Sequence, residues 1–227
     1  MDKFIVPHIM SSNGDLDNIE KVILTGAIAD VEQFFNSHYV IDRHIDVAFS
    51  RGFYRLAIVE DGIGGRCFTD SCIVIGFSQS DTPPRSIIAE MLCHEVAHAT
   101  RWNLNDQYSG AFIYDAIFEG LAICMQEQFA LDHSPSTTFL NVMHRRYQDE
   151  AFNARLIKGT RPVWHMDHFD HNALFYTGNK QLPRWAAYSL GYFIVKQAIE
   201  QSGKDIFTLL DANYEDIYDL GTKMLPG

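Results

Sequence analysis

The run His94-Glu95-Val96-Ala97-His98 sets two imidazoles and a carboxylate at a spacing that can do chemistry. On a helix, positions i and i+4 lie one above the other, so His94 and His98 can aim two ring nitrogens at one metal ion. Glu95 is one residue on, rotated by about 100° around the helix axis, and so flanks the metal instead of joining its ligands. From there it can take a proton from zinc-bound water, the general-base role of this Glu in the H-E-x-x-H motif. Chance supplies such a pattern in about a few chains of this length per hundred, but it does not supply the context. Here Ile87, Ile88, Met91, Leu92 and Val96 give the same segment an apolar surface, so the motif falls on a core-packed helix.

A catalytic zinc takes three protein ligands and leaves a fourth position for water or substrate. The metzincin layout is excluded, because Arg101 and Leu104 stand where that pattern requires Gly and His. Glu119, in Phe118-Glu119-Gly120-Leu121-Ala122, follows His98 by 21 positions and falls on the next expected helix. Its neighbours Ile113, Ala116, Ile117, Leu121 and Ala122 mark that helix as buried, and a buried carboxylate needs a partner such as a metal. Glu119 is therefore the chosen third ligand. Asp115, one turn earlier, is either the acceptor behind a ligand imidazole or the ligand itself. Arg101 either pairs with Asp115 or Glu119 or lies on the surface.

Three blocks together, His94-Glu95-Val96-Ala97-His98-Ala99-Thr100-Arg101, Glu119-Gly120-Leu121-Ala122 and Pro183-Arg184-Trp185-Ala186-Ala187-Tyr188-Ser189-Leu190-Gly191-Tyr192, resemble the gluzincin metallopeptidases. Among them the chain is most similar to a family of predicted zinc-dependent proteases that pairs a His-Glu helix with a following Glu-Gly-Leu-Ala helix. Where that family often has Gly before the first Tyr of the last block, this chain has Ala187. The resemblance implies a metallopeptidase fold, a small sheet over the active helix, one zinc ion and a peptide or protein substrate. Hydrolysis also needs a donor for the oxyanion that develops on the scissile carbonyl. Tyr188 and Tyr192 are i and i+4 on one helix; the spacing alone favours packing, and the resemblance raises Tyr188 to the preferred donor.

His165, His168 and His171 form a second group in Trp164-His165-Met166-Asp167-His168-Phe169-Asp170-His171. Interleaved with Asp and aromatic residues, it reads as a solvated or substrate-side loop, with a second metal site or an oxyanion donor as the alternatives. Extended peptides often add a strand to a sheet edge, and Cys72, Ile73, Val74, Ile75 and Gly76, just before the metal helix, are the candidate for that role.

Stepping along the chain, an amphipathic helix is expected over Leu16 to Asn36. Short β-branched or aromatic runs at Ile45 to Phe49, Arg55 to Glu60 and Ser71 to Phe77 read as strands. Asp61-Gly62-Ile63-Gly64-Gly65 reads as a turn; no Lys-Ser/Thr pair and helix follow it as a phosphate loop requires. From Asp81 onward the chain reads as helical: the metal helix, Ala111 to Leu131, Thr138 to Leu156, an irregular stretch, Pro183 to Ala198 and a short helix at Asp205 to Leu210. The fold class is α+β: an N-terminal helix and a small twisted, mainly antiparallel sheet, followed by a mainly helical half that carries the site. It is read as a single domain over 1–227, with a sheet-containing lobe at 1–80 and a helical lobe at 81–227.

The 227 residues are enough to bury a core, and their 47% hydrophobic content is ordinary for a globular chain. A net charge of −11 without a basic stripe argues against nucleic acid as a partner. The start of the chain has no signal-like apolar run, and no stretch approaches the roughly 20 apolar residues that cross a bilayer, so no membrane association is expected. Cys67, Cys72, Cys93 and Cys124 form no C-x-x-C pair, which suits free thiols and a cytoplasmic setting. Two competing functions keep the metal: a peptide-recognition or regulatory module with little turnover, and a hydrolase of a non-peptide amide or ester.

Overall fold

The computed structural model describes residues 3–11, 16–52, 60–78, 82–102, 110–132 and 137–225. The chain forms two compact units, one made of residues 1–103 and 125–140, the other of 104–124 and 141–227.

The first unit opens with strand β1 (Ile5–Met10) and helix α1 (Asn18–His38). Asp17 starts α1 as a reciprocal cap: its carboxylate accepts from the Glu20 amide, and the Glu20 carboxylate accepts from the Asp17 amide. The buried Glu32 of α1 accepts from the amides of Phe4 and Ile5, both at 3.0 Å, and so ties the helix to the first strand. Three further strands follow, β2 (Ile45–Arg51), β3 (Ile63–Thr69) and β4 (Cys72–Phe77), and the sheet order is β1-β2-β4-β3. Ile45, Val47 and Phe49 alternate with Asp46 and Ala48, placing one face of β2 in the core. Pro7 is tolerated in β1 because that strand is at the sheet edge among the described residues, where a missing N–H costs no ladder bond.

Helix α2 (Arg85–Arg101) comes next and is buried continuously from Ile88 to Arg101. Such all-round burial belongs to a helix at the centre of a fold. Helix α3 (Phe112–Asp132) contributes its C-terminal half to this unit, where Phe129 meets Phe34 of α1 edge-on at 5.3 Å.

The second unit takes the N-terminal half of α3, most of α4 (Thr138–Tyr147), and α5 (Glu150–Thr160), α6 (Ala186–Ser202), α7 (Ile206–Leu210) and α8 (Tyr214–Thr222). Between α5 and α6 lie a short 3-10 turn at Arg161–Val163 and a π-helical segment at Asn172–Thr177. Trp164 is buried here and donates from its indole N–H to the Thr160 hydroxyl. No helix among the described residues is long and apolar enough to cross a membrane.

The α+β class matches the expectation, with corrections: strand β1 ahead of the first helix and helix α8 after Leu210 were not expected. Among the described residues the sheet is mixed and not mainly antiparallel: β1 with β2 and β2 with β4 are parallel, and β3 with β4 is antiparallel. The expected turn at Asp61–Gly65 is already strand from Ile63 onward. The helix expected over Thr138 to Leu156 is two, because Asp149 caps a new start by accepting from the Phe152 amide. The strand expected over Arg55 to Glu60 lies outside the described residues except for Glu60, which is in a turn.

Candidate metal centre

Helix α2 delivers the motif as its spacing requires. The Nε2 atoms of His94 and His98 lie 3.1 Å apart, with ring planes at 84° and centroids at 4.7 Å. Two nitrogens on one zinc at about 2.0–2.1 Å, spread tetrahedrally, stand about 3.3 Å apart, so this separation fits a shared ion. Both rings and Glu95 are buried.

Glu119, half-buried on α3, completes a donor set: one ligand atom from each of His94, His98 and Glu119 lies within 4.8 Å of the others. Two imidazole nitrogens and one carboxylate oxygen are the donors of a catalytic zinc site. Asp115 does not belong to this group. Its carboxyl is pushed up to about 7, first by burial and then by the negative charge of Glu119. Close to neutrality it is thus partly protonated and able to donate a hydrogen bond.

The small residues around Glu119 and Tyr188 have a packing cause. A Cβ added to Gly120 would come 2.2 Å from the backbone C and O of Gly191, and one added to Gly191 would come 1.7 Å from the carbonyl oxygen of Ala116. Helices α3 and α6 therefore cross backbone on backbone, which only glycine at both positions allows. That crossing sits one residue from Glu119.

Two groups that the sequence reading did not single out hold α2. Arg43 donates from Nη2 to the carbonyls of Ala99 (2.9 Å) and Thr100 (3.3 Å), and from Nε to the carbonyl of Asp70 (3.1 Å). A cation on the last carbonyls of a helix satisfies orphan acceptors and complements the helix dipole. One turn before His94, the fully buried Glu90 accepts from the Thr137 amide at 2.9 Å and from the Gln126 amide nitrogen at 3.3 Å. Nothing in the linear sequence near either residue signals these roles.

The remaining candidates are placed as follows. Arg101 is buried at 1% exposure, which removes the surface reading. Tyr188 is half-buried with Phe175 edge-on to its ring at 5.5 Å. Tyr192 is 1% exposed and packs its ring near His144 (6.0 Å) and Tyr147 (5.7 Å), the surroundings of a core residue. His171 stacks on Phe175 at 4.4 Å and His165 lies against Tyr218 at 5.8 Å; the three histidines form no metal group among the described residues. Cys72, Ile73, Val74, Ile75 and Gly76 make up most of β4, which is an inner strand with β2 on one side and β3 on the other. Its main chain is already used in the ladder, so the expected edge-strand role is corrected.

The donors and the α+β scaffold define a class, that of a helix-borne candidate zinc centre beside a small mixed sheet. Within it, the chain belongs to the family described as Predicted Zn-dependent protease (DUF2268), whose model matches residues 52–219. No curated protein and no solved structure matches the chain.

Proposed function

We propose that the chain is a zinc-dependent peptidase of the gluzincin type, with one zinc held by His94, His98 and Glu119 and with Glu95 as general base. The observation that carries this reading is the grouping of the three ligand atoms within 4.8 Å of one another. Bound zinc supplies Lewis acidity, which polarises a carbonyl and makes water a usable nucleophile at neutral pH.

The chain's own residues do the rest. Glu95, next to His94 on the same buried helix, accepts a proton from the attacking water and returns it to the leaving amine. Burial of its carboxylate keeps bulk water from competing for that proton. Tyr188 is the proposed donor to the developing oxyanion. The substrate is a peptide or protein in extended form, and β3, the outer strand at this end of the sheet among the described residues, is the strand it would pair with.

One set of measurements tests the reading: zinc per chain and cleavage of a mixed peptide library for the wild type, Glu95→Gln, Glu119→Ala and Asp115→Ala. Wild type holds one zinc and cleaves. Glu95→Gln keeps the zinc and loses cleavage by about a thousandfold or more, in the range general-base catalysis contributes. Glu119→Ala loses far more zinc than Asp115→Ala; the reverse order would move the third ligand to Asp115. A zinc-loaded wild type that cleaves no peptide would leave a binding module or a hydrolase of another amide or ester.

A further inference from the structure

We propose that Gly65 is the positioning residue for Glu95: the bare Cα of β3 leaves the space that the Glu95 carboxylate occupies, so the strand sets where the general base stands. The proposal rests on the reading of Glu95 as that base.

A Cβ built on Gly65 would lie 2.5 Å from both Cγ and Oε1 of Glu95 and 2.7 Å from Cδ. Carbon atoms in ordinary contact are about 3.5–4.0 Å apart, so the smallest side chain at this place requires the carboxylate to move by about 1 Å. No backbone reason accounts for glycine here. Gly65 is in register opposite Ile75 inside the β3–β4 ladder and is not among the glycines with positive φ. A strand interior normally disfavours glycine, which there often marks a bulge, a bend or a close approach by another group; the bulge in β3 falls between Cys67 and Thr69, past Gly65. The approaching group is Glu95.

The same face of β3 makes the rest of the wall. Ile63 and Cys67 stand two residues to either side of Gly65 and are both buried. The Cys67 thiol is lifted far above its usual range, first by burial and then by the negative charge of Glu95. With Glu95 itself 4% exposed, the carboxylate cannot relieve a collision by turning out into water. It can only shift within the site, and a shift of about 1 Å in a reacting group costs on the order of a hundredfold in rate.

The test is Gly65→Ala in the full chain, with zinc per chain, kcat, KM and a crystal structure as readouts. Zinc content and KM are expected to stay at wild-type values, kcat to fall about a hundredfold, and the Glu95 carboxylate carbon to stand about 1 Å from its wild-type place. A carboxylate that stays put, or wild-type kcat in the variant, overturns the proposal. Should the wild type cleave nothing, the peptidase reading fails while the crystal structure still decides whether Gly65 sets Glu95. If Gly65→Ala does not fold, Glu95→Ala is added to it: the double variant regains the fold if the methyl meets Glu95, and a double variant that stays unfolded overturns the proposal.

Discussion

The two helices that carry the candidate ligands are fixed by different physics. Helix α2 is held by polar groups at its flanks, with the Arg43 guanidinium on its last carbonyls and the Glu90 carboxylate on the Thr137 amide. The Glu119 turn of α3 is fixed by close packing, glycine backbone against glycine backbone at Gly120 and Gly191. Hydrogen bonds to ionisable groups are graded, since each contributes about 1–3 kcal/mol and responds to pH and salt. Backbone contact is close to all-or-none, because packed atoms have no partial accommodation short of moving a helix. Lesions on the two sides should therefore differ in size and in their dependence on conditions.

The largest effect is expected at the glycine crossing. In Gly191→Ala the new methyl would fall 1.7 Å from the Ala116 carbonyl oxygen, and α6 must withdraw from α3 to admit it. Overpacking of this severity lies at or beyond the upper end of the usual range, about 3 kcal/mol or more. For a chain of this length that lowers Tm by about 6–12 °C, readable by calorimetry at fixed pH. Because the disturbed turn adjoins Glu119, zinc per chain should fall as well. A variant that melts with the wild type would show that the two helices do not meet at this crossing, and the contrast drawn above would collapse.

The same contrast explains what was legible in the sequence. His94, Glu95 and His98 are read directly because their relation is local, set by one turn of one helix. Glu119 was reachable from the apolar pattern around it, and its Gly-Leu-Ala continuation was visible as a motif. The reason for the glycine was not, since it lies in Gly191, 71 positions away by difference of residue numbers. Strand order is likewise non-local. β4 directly precedes α2 in sequence, which suggested an edge, yet β3 folds back onto its outer side. β3 itself was hidden because Gly64 and Gly65 carry the signature of a turn, whereas Gly65 is there for what passes beside it. Arg43 and Glu90 offered no pattern at all, as their partners are backbone groups that only the tertiary fold brings near.

An intermediate effect is expected from Arg43→Ala. The carbonyls of Ala99 and Thr100, beside His98, lose a charged donor, and the last turn of α2 frays. The guanidinium is about one-third exposed, with a side-chain accessibility of 30%, so water replaces part of what is lost. A cost of about 1–2 kcal/mol follows, a Tm lowered by about 2–8 °C. Zinc affinity should weaken by about tenfold, as for other groups that steady a ligand without touching the metal. Arg43→Lys keeps the charge but cannot reach three carbonyls with a planar fork, and should recover only part of the loss. Equal zinc affinity in Arg43→Ala and wild type would mean that the end of α2 holds His98 without help.

The smallest effect, and the one that separates the two modes of fixation by condition and not by size, is the pH response at Glu90. Burial raises its carboxyl above the usual value of 4.5, with the nearby charge of Asp61 adding in the same direction, while the bonds from Thr137 and Gln126 oppose the rise. The folded protein therefore holds this proton at pH values where the unfolded chain has released it. Stability from this group is fully present below about pH 4.5 and is lost as pH rises through the raised value of the folded state. Glu90→Gln, which cannot ionise and still offers a carbonyl oxygen to the Thr137 amide, lacks that dependence. The stability of the wild type relative to Glu90→Gln should accordingly decline with rising pH from 4.5 upward, measured by denaturant unfolding at a series of pH values. Gly191→Ala compared with wild type should show no such slope, since no proton is exchanged where two backbones touch. A pH-independent difference at Glu90 would place its carboxyl in the ordinary range and remove the proposed difference in pH response between the two helices.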